Sequence, residues 1–474
     1  MELLGVDVAI VQFAALFEVG GDCAWQLRIN RNHMMRIALS VIRMAGRIGG
    51  RICWLFVCLY LASGVVSYAR RWPAKVVAIV PQPDGIRVVT AGGRRGRSGE
   101  EDRVTLALGS LVWVGLFWVR GTSRWWSGFV ALGTVVAAGG AMEPMRRWRL
   151  AEQLAAVPEV AVRPYQKLFR QRGVSFIRDG FEAYYPKPTA EMFTSLQGYG
   201  VDAVAVVPYG YYRQGARTVE LGREGGDEAI YVALMKVAHA RGMRVLLKPQ
   251  LWVMPGMFPG AVKIEGVEER RVWFESYSRF ILHWARIAEK GRADLFAVGT
   301  ELEKLSGDEA QWRGIVKQVR GVYGGPLTYA ANQGPDFEKL AWWDALDYIG
   351  LNEYYPLADS LDFSPVIRTV ETVQKKFDRP VILTEVGFAS VAGSHREPWS
   401  EPRRDADWTH QARCYEALMA AFWKQPWFYG MYPWKVSAHG DVGPEDRSLT
   451  PWKKPAMEVV KRYYRMDSGQ AGSP

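Results

Sequence analysis

Two glutamates carry the chemistry that can be read from this chain. Glu301 stands in FAVGTELE and Glu385 in PVILTEVGF, 84 residues apart. Each follows a short apolar run of strand character. Each therefore falls at the carboxyl end of a strand, where β/α barrels keep their reactive groups. Two carboxyl groups facing one cavity are the minimum equipment for breaking a glycosidic bond. Glu303 and Glu353 are rival carboxylates. Glu303 lies two residues from Glu301, so strand parity does not separate them. Glu353 alternates with Asn352 and Tyr354, which points it away from the barrel axis if the strand extends that far.

The elements that must position the pair are legible from residue 173 onward. Strand-like runs begin at 173–177, 201–207, 244–249, 294–299, 326–331, 347–352, 380–384 and 429–434, with amphipathic stretches between them. Asp227 is placed to cap a helix that Gly242 ends, and Ser306 with Glu309 reads as a capping box. Ser364-Pro365 reads as a cap followed by a first-turn proline. Trp273, Tyr277, Phe280, Ile281, Trp284 and Ala288 fall at helical spacing, as a barrel-packing stripe would. Eight strands alternating with helices imply an α/β architecture, a (β/α)8 TIM barrel over 151–474. Just past the strands the sequence is rich in aromatic and polar residues, among them Asp179, Glu182, Tyr211, Trp252, Asn332, Asn352, Tyr354 and Trp434. Sugars need this mixture, because their C–H faces stack on rings while their hydroxyls need directional hydrogen bonds.

Residues 1–150 are of a different character. The formal charge of +11 is almost all here, with 19 Lys and Arg against 9 Asp and Glu. This asymmetry and the lack of any nucleic-acid module signature argue against a nucleic-acid partner. Arginines flanking apolar runs suit a membrane-associated helical segment. Residues 52–68 are uncharged between Arg47, Arg51 and Arg70, Arg71; 104–119 and 127–142 are two further uncharged runs. One to three transmembrane helices are therefore expected. Lys and Arg counts are too evenly shared between the alternating sides to orient them. Pro81–Arg103 reads as a polar loop. The four cysteines (Cys23, Cys53, Cys58, Cys414) and six histidines show no disulfide framework and no zinc spacing, so neither metal nor other cofactor is expected.

The motifs GTELE and LTEVGF, together with LNEYYPL, TYAANQ and the PWK segment, resemble glycoside hydrolase family 113 over about residues 170–465. That resemblance implies a retaining barrel glycosidase of clan A, endo-acting on β-1,4-mannan or a related β-linked glycan, without a cofactor. It implies Glu301 as acid/base and Glu385 as nucleophile. Tyr354 matches a tyrosine that hydrogen-bonds the nucleophile, Trp434 an aromatic floor under the sugar, and Asn332 a polar residue after strand five. Asn352, Trp252 and Tyr211 are further substrate-binding candidates at strand ends. Many clan members have asparagine before the acid/base; this chain has Thr300, which leaves recognition of the sugar 2-hydroxyl unassigned. The expected partners are an oligo- or polysaccharide and, through the N-terminal region, a membrane, with a monomeric barrel. The side of the membrane is open, a polysaccharide substrate favouring the extracytoplasmic one. The alternatives are a membrane-tethered glycan-binding barrel and an enzyme that trims or transglycosylates envelope glycans.

Overall fold

The computed structural model describes residues 76–82, 85–90, 146–178, 184–222, 227–402, 404–438, 440 and 442–466. The chain divides into two compact units, Met1–Pro144 and Met145–Pro474. The three candidate spans lie outside the described residues, as do Asp179 and Glu182. Among the described residues no helix is long and apolar enough to cross a membrane. In the first unit Val76–Gln82 pairs antiparallel with Gly85–Thr90. The reading of Pro81–Arg103 as a loop therefore fails over 81–82 and 85–90. The β-branched Ile86, Val88 and Val89 favour a strand, and they outweigh the turn residues around them.

The second unit is a closed parallel barrel. Its strands are β1 (Gln171–Ile177), β2 (Ala203–Val206), β3 (Arg244–Leu247), β4 (Leu295–Thr300), β5 (Leu327–Asn332), β6 (Ile349–Glu353), β7 (Val381–Val386) and β8 (Phe428–Pro433). Each pairs with the next, and β8 returns to β1 through Gly430↔Gln171 and Met431↔Arg172. The helices that follow the strands are α1 (Pro186–Gln197), α2 (Glu228–His239), α3 (Val267–Gly291), α4 (Glu309–Arg320), the short α5 (Pro335–Glu338), α6 (Ser364–Phe377), α7 (Trp408–Phe422) and α8 (Pro455–Met466). Beyond β2 and β3 the chain forms a second small parallel sheet, Tyr209–Arg213 with Gln250–Met254.

Strand pleating separates two apolar clusters. Ala203, Ala205, Leu246, Leu295, Ala297, Tyr348, Ile382 and Tyr432 pack together as one. The alternate residues Val204, Val245, Phe296, Val298, Leu351 and Leu383 pack with the helices as the other. A period of two produces this division, with the barrel interior on one side and the helix layer on the other. Small alanines in the first cluster make room for Tyr348 and Tyr432. The stripe on α3 belongs to the second cluster: Trp273, Tyr277, Phe280, Ile281, Trp284 and Ala288 are all buried.

The helix caps depart from expectation in detail. Asp227 precedes α2 but makes no cap; its carboxylate pairs with Arg178 at 2.9 Å. The Ser306–Glu309 box does not form, because Asp308 is the residue before α4 and the Ser306 hydroxyl donates to the Glu303 carbonyl at 3.1 Å. Ser364 is the first residue of α6 rather than its cap, and its N–H donates to Asp362 at 2.9 Å.

Barrel closure leaves no room at Gly430. Its φ is 134°, and a Cβ there would fall inside the Gln171 carbonyl. Gly430→Ala is expected to destabilise the barrel by roughly 2–4 kcal/mol through overpacking and backbone strain. Urea unfolding should show a lower midpoint at unchanged slope; an unchanged midpoint would contradict the account.

Candidate active site

A strand that ends in a charged residue must solve a burial problem. Lys248 follows β3, is completely buried, and forms an ion pair with Glu385 of β7, itself only 4% exposed. The other Glu385 oxygen accepts the Tyr354 hydroxyl at 3.2 Å. Burial, and then the nearby carboxylates, push the Tyr354 phenol well above its ordinary value, so it remains a donor. Glu385 thus receives one donor on each oxygen, the arrangement an ionised carboxylate requires when water is excluded.

Register shifts bring Glu385 to this position. Val381 and Leu383 belong to the helix-side cluster, and simple alternation would send residue 385 the same way. Between β6 and β7 the pairing runs Leu351↔Leu383 and then Asn352↔Glu385, so β7 carries one extra residue at Thr384. A bulge of this kind reverses the facing of the residues beyond it. Thr384 uses its hydroxyl to donate to Asn352 Oδ1 at 2.8 Å.

Asn352 links the two glutamates' surroundings. Its Nδ2 donates to Glu301 Oε1 at 3.0 Å. Glu301 sits just beyond β4 in the left-handed region, φ 54°, a conformation that costs a non-glycine residue about 1–2 kcal/mol. Its N–H donates to the Ala330 carbonyl at 2.9 Å, which fixes the turn. Burial and the charge of Glu385 raise the Glu301 carboxyl to about 8, against the opposing effects of the Asn352 hydrogen bond and Lys248. The two carboxyls thus share one field but sit in different surroundings, one beside an ammonium, the other facing an amide.

The remaining expected residues divide. Trp434 is half-buried, with the Lys248 ammonium 5.2 Å from its ring centre and its backbone N–H on the Val386 carbonyl at 2.7 Å, so it borders the ion pair. Asn332 closes β5, its N–H on Asp336 at 2.8 Å and its amide 3.5 Å from Glu303. Glu303 pairs with Lys304 at 3.0 Å. Glu353 is buried, and its oxygen accepts the Tyr355 N–H at 3.1 Å. Tyr211 and Trp252 are register partners in the small second sheet, where Trp252 is 53% exposed and Tyr209 meets it edge-on at 6.1 Å. Thr300 spends its hydroxyl on the Pro249 carbonyl at 3.1 Å.

Sequence reasoning missed Lys248. A signal existed: RVLLKP is an apolar strand ending in a cation, and a buried cation requires a partner. Asp336 was also missed. It is buried under the Tyr329 hydroxyl at 3.2 Å, and burial pushes its carboxyl up to about 7.

Comparison with known proteins places the chain. A family model described as Glycoside Hydrolase Family 113 matches residues 176–447, more than half of the chain. A solved GH113 β-mannanase from Alicyclobacillus acidocaldarius, in complex with ManMIm, is 29% identical with a TM-score of 0.58, covering 63% of this chain and 98% of that one. Another solved GH113 β-1,4-mannanase shares the fold at 24% identity and a TM-score of 0.59, covering 63% of this chain and 99% of that one. No curated protein matches the chain. Fold and family model together define a barrel glycoside hydrolase acting on O-glycosyl bonds. The chain belongs to glycoside hydrolase family 113.

Removing one partner of a buried ion pair strands the other. Lys248→Met is expected to cost roughly 3–5 kcal/mol of stability. Adding Glu385→Gln to it should restore part of that loss, giving a coupling term in a double-mutant cycle of denaturation free energies. Additive effects of the two substitutions would show that the pair is not coupled.

Proposed function

We propose that this enzyme is a retaining, endo-acting glycosidase of β-1,4-mannan or a closely related β-linked glycan, with Glu385 as nucleophile and Glu301 as acid/base. The observation that carries the reading is the unequal environment of the two carboxyls: Glu385 held by Lys248 and Tyr354, Glu301 raised to about 8. A carboxyl with raised proton affinity beside one held by a cation divides acid from base chemistry at one pH. The substrate class rests on the β-mannanase named among its structural relatives at 29% identity.

In the first step a Glu385 oxygen attacks the anomeric carbon as the glycosidic C–O bond breaks, and the Glu301 proton passes to the leaving oxygen. In the second, the Glu301 carboxylate takes a proton from water, whose oxygen displaces Glu385 from the same carbon. Tyr354 holds the nucleophile, Asn352 orients the acid/base, and Trp434 offers its face to the sugar ring. Asn332, Tyr211 and Trp252 serve more distant sugar units.

Glu385→Ala should abolish turnover. Glu301→Ala should still form the glycosyl-enzyme from substrates with activated leaving groups, and azide should rescue its turnover. Full activity of either variant on unactivated β-mannan would end the assignment. Because Glu301 must enter the first step protonated and titrates at about 8, kcat/KM should be lost as pH rises through about 8. A profile still rising there would remove Glu301 as the acid.

We also propose that residues 1–144 anchor the enzyme in a membrane, with the barrel on the extracytoplasmic side where polysaccharide is met. The uncharged run 52–68 between paired arginines supports this. Recovery of the full chain in the soluble fraction after lysis without detergent would refute it.

A further inference from the structure

The loop between β7 and α7 collects three metal-ligating side chains that the sequence keeps apart. His395 lies in the short 3-10 turn Ser394–Arg396, while His410 and Cys414 are one turn apart on α7. Their nearest ligand atoms all lie within 4.8 Å of one another. His395 Nδ1 is 3.0 Å from His410 Nε2, and Cys414 Sγ is 3.5 Å from the same nitrogen. All three residues are at most 9% exposed.

Hydrogen bonds order this group without engaging all three donor atoms at one point. His395 Nε2 meets Asp359 Oδ1 at 3.0 Å, which holds the ring proton on Nε2 and leaves Nδ1 as a lone pair. His410 Nε2 then faces both that lone pair and a thiol. A ring nitrogen has one in-plane position, as lone pair or as N–H, and cannot serve both partners well. Ser394 Oγ is buried beside Cys414, and its hydroxyl favours the thiolate. A metal ion resolves this conflict. Tetrahedral zinc with the usual Zn–N and Zn–S bonds spaces two nitrogens about 3.3 Å apart and nitrogen from sulfur about 3.5 Å. The His395–His410 and His410–Cys414 spacings lie within a few tenths of an ångström of these values, while His395 Nδ1 and Cys414 Sγ, within 4.8 Å of each other, draw closer on binding. The Asp359–His395 hydrogen bond is the outer-shell carboxylate that ligating histidines use to fix their tautomer.

We infer that His395, His410 and Cys414 form a three-ligand zinc site, with water in the fourth position, that staples the β7–α7 loop to α7. Asp359 extends the staple to the loop after β6 and also accepts Arg396 at 2.6 Å. On binding, the Cys414 thiol releases its proton to solvent, and His410 keeps its single ring proton on Nδ1. The Ser394 hydroxyl donates to the resulting thiolate. The two loops so joined leave β6 and β7, the strands that carry Asn352 and Glu385. The site is independent of the glycan chemistry proposed above and does not rest on it.

Cobalt(II) is a spectroscopic stand-in for zinc. The full chain, stripped with chelator and titrated with cobalt, should bind one ion per chain. It should show a thiolate-to-metal charge-transfer band in the near ultraviolet and the visible bands of a tetrahedral site, both displaced by zinc. A chain carrying Cys23→Ser, Cys53→Ser and Cys58→Ser together should keep these bands, which excludes the N-terminal thiols. Cys414→Ala in that background should lose the charge-transfer band. Zinc should raise the melting temperature of the stripped protein. No charge-transfer band in the triple variant, together with a melting temperature indifferent to zinc, would reduce the trio to a hydrogen-bonded cluster and overturn the inference, whether or not Cys414→Ala folds.

Discussion

A carboxylate kept from water at the end of a barrel needs a cation, and the Lys248–Glu385 pair meets that need across the barrel, from the end of β3 to β7. Charge in a low-dielectric interior is costly unless paired and hydrogen-bonded. The pair therefore constrains its neighbours. Tyr354 must keep its proton to serve the second Glu385 oxygen. Trp434 must lie where the ammonium still reaches its ring. Glu301, close enough to feel Glu385, bears the consequence as a raised affinity for its proton. The pair's stability and the acidity of its neighbour are one electrostatic problem.

Backbone irregularity makes that geometry possible. Regular alternation would send residue 385 to the helix side with Val381 and Leu383. The extra residue in β7 turns it back, and Thr384 then completes the Asn352 amide. Glu301 is likewise placed by its own left-handed backbone, held by hydrogen bonds from Glu301 and Leu302 to β5. Both carboxyls depend on local departures from ideal strands, as strained or bulged positions at reactive sites often do.

Much of this was legible in the sequence, and the remainder was hidden for identifiable reasons. The eight strands show as short apolar runs because both strand faces are buried, and the α3 stripe shows as helical periodicity. Glu353 falls within β6 and shares the parity of Ile349 and Leu351, which pack on the helix side. Asp227 stands at the expected cap position but spends its carboxylate on Arg178, while the caps expected at Ser306 and Ser364 are off by a residue or two. Lys248 went unrecognised because its partner lies 137 residues away. The residues 395, 410 and 414 looked unrelated because a loop turn, not a motif, brings them together. Long-range pairing is the information that periodicity does not hold.

Burial alone does not single out one acid. Glu301, Glu353 and Asp336 are all buried and all raised, to about 8, 8 and 7. For each the largest cause is loss of water, so a raised value does not distinguish them. What separates them is the other groups that act on each. Glu353 has only the Tyr355 N–H set against its burial, and no charge is prominent. Asp336 is occupied by the Tyr329 hydroxyl and the Asn332 N–H, which hold the end of β5 in place. Glu301 alone has a second carboxylate as its next-largest influence, and that carboxylate is fixed by an ammonium and a phenol. Proton affinity set by a neighbouring anion changes whenever that anion is consumed. If Glu385 becomes neutral on bonding to a sugar, the charge that held the Glu301 proton is gone. Glu301 then gives up its proton more readily, and its carboxylate is free to act as a base toward water. The same coupling thus supports both steps of the proposed reaction, and neither Glu353 nor Asp336 has it.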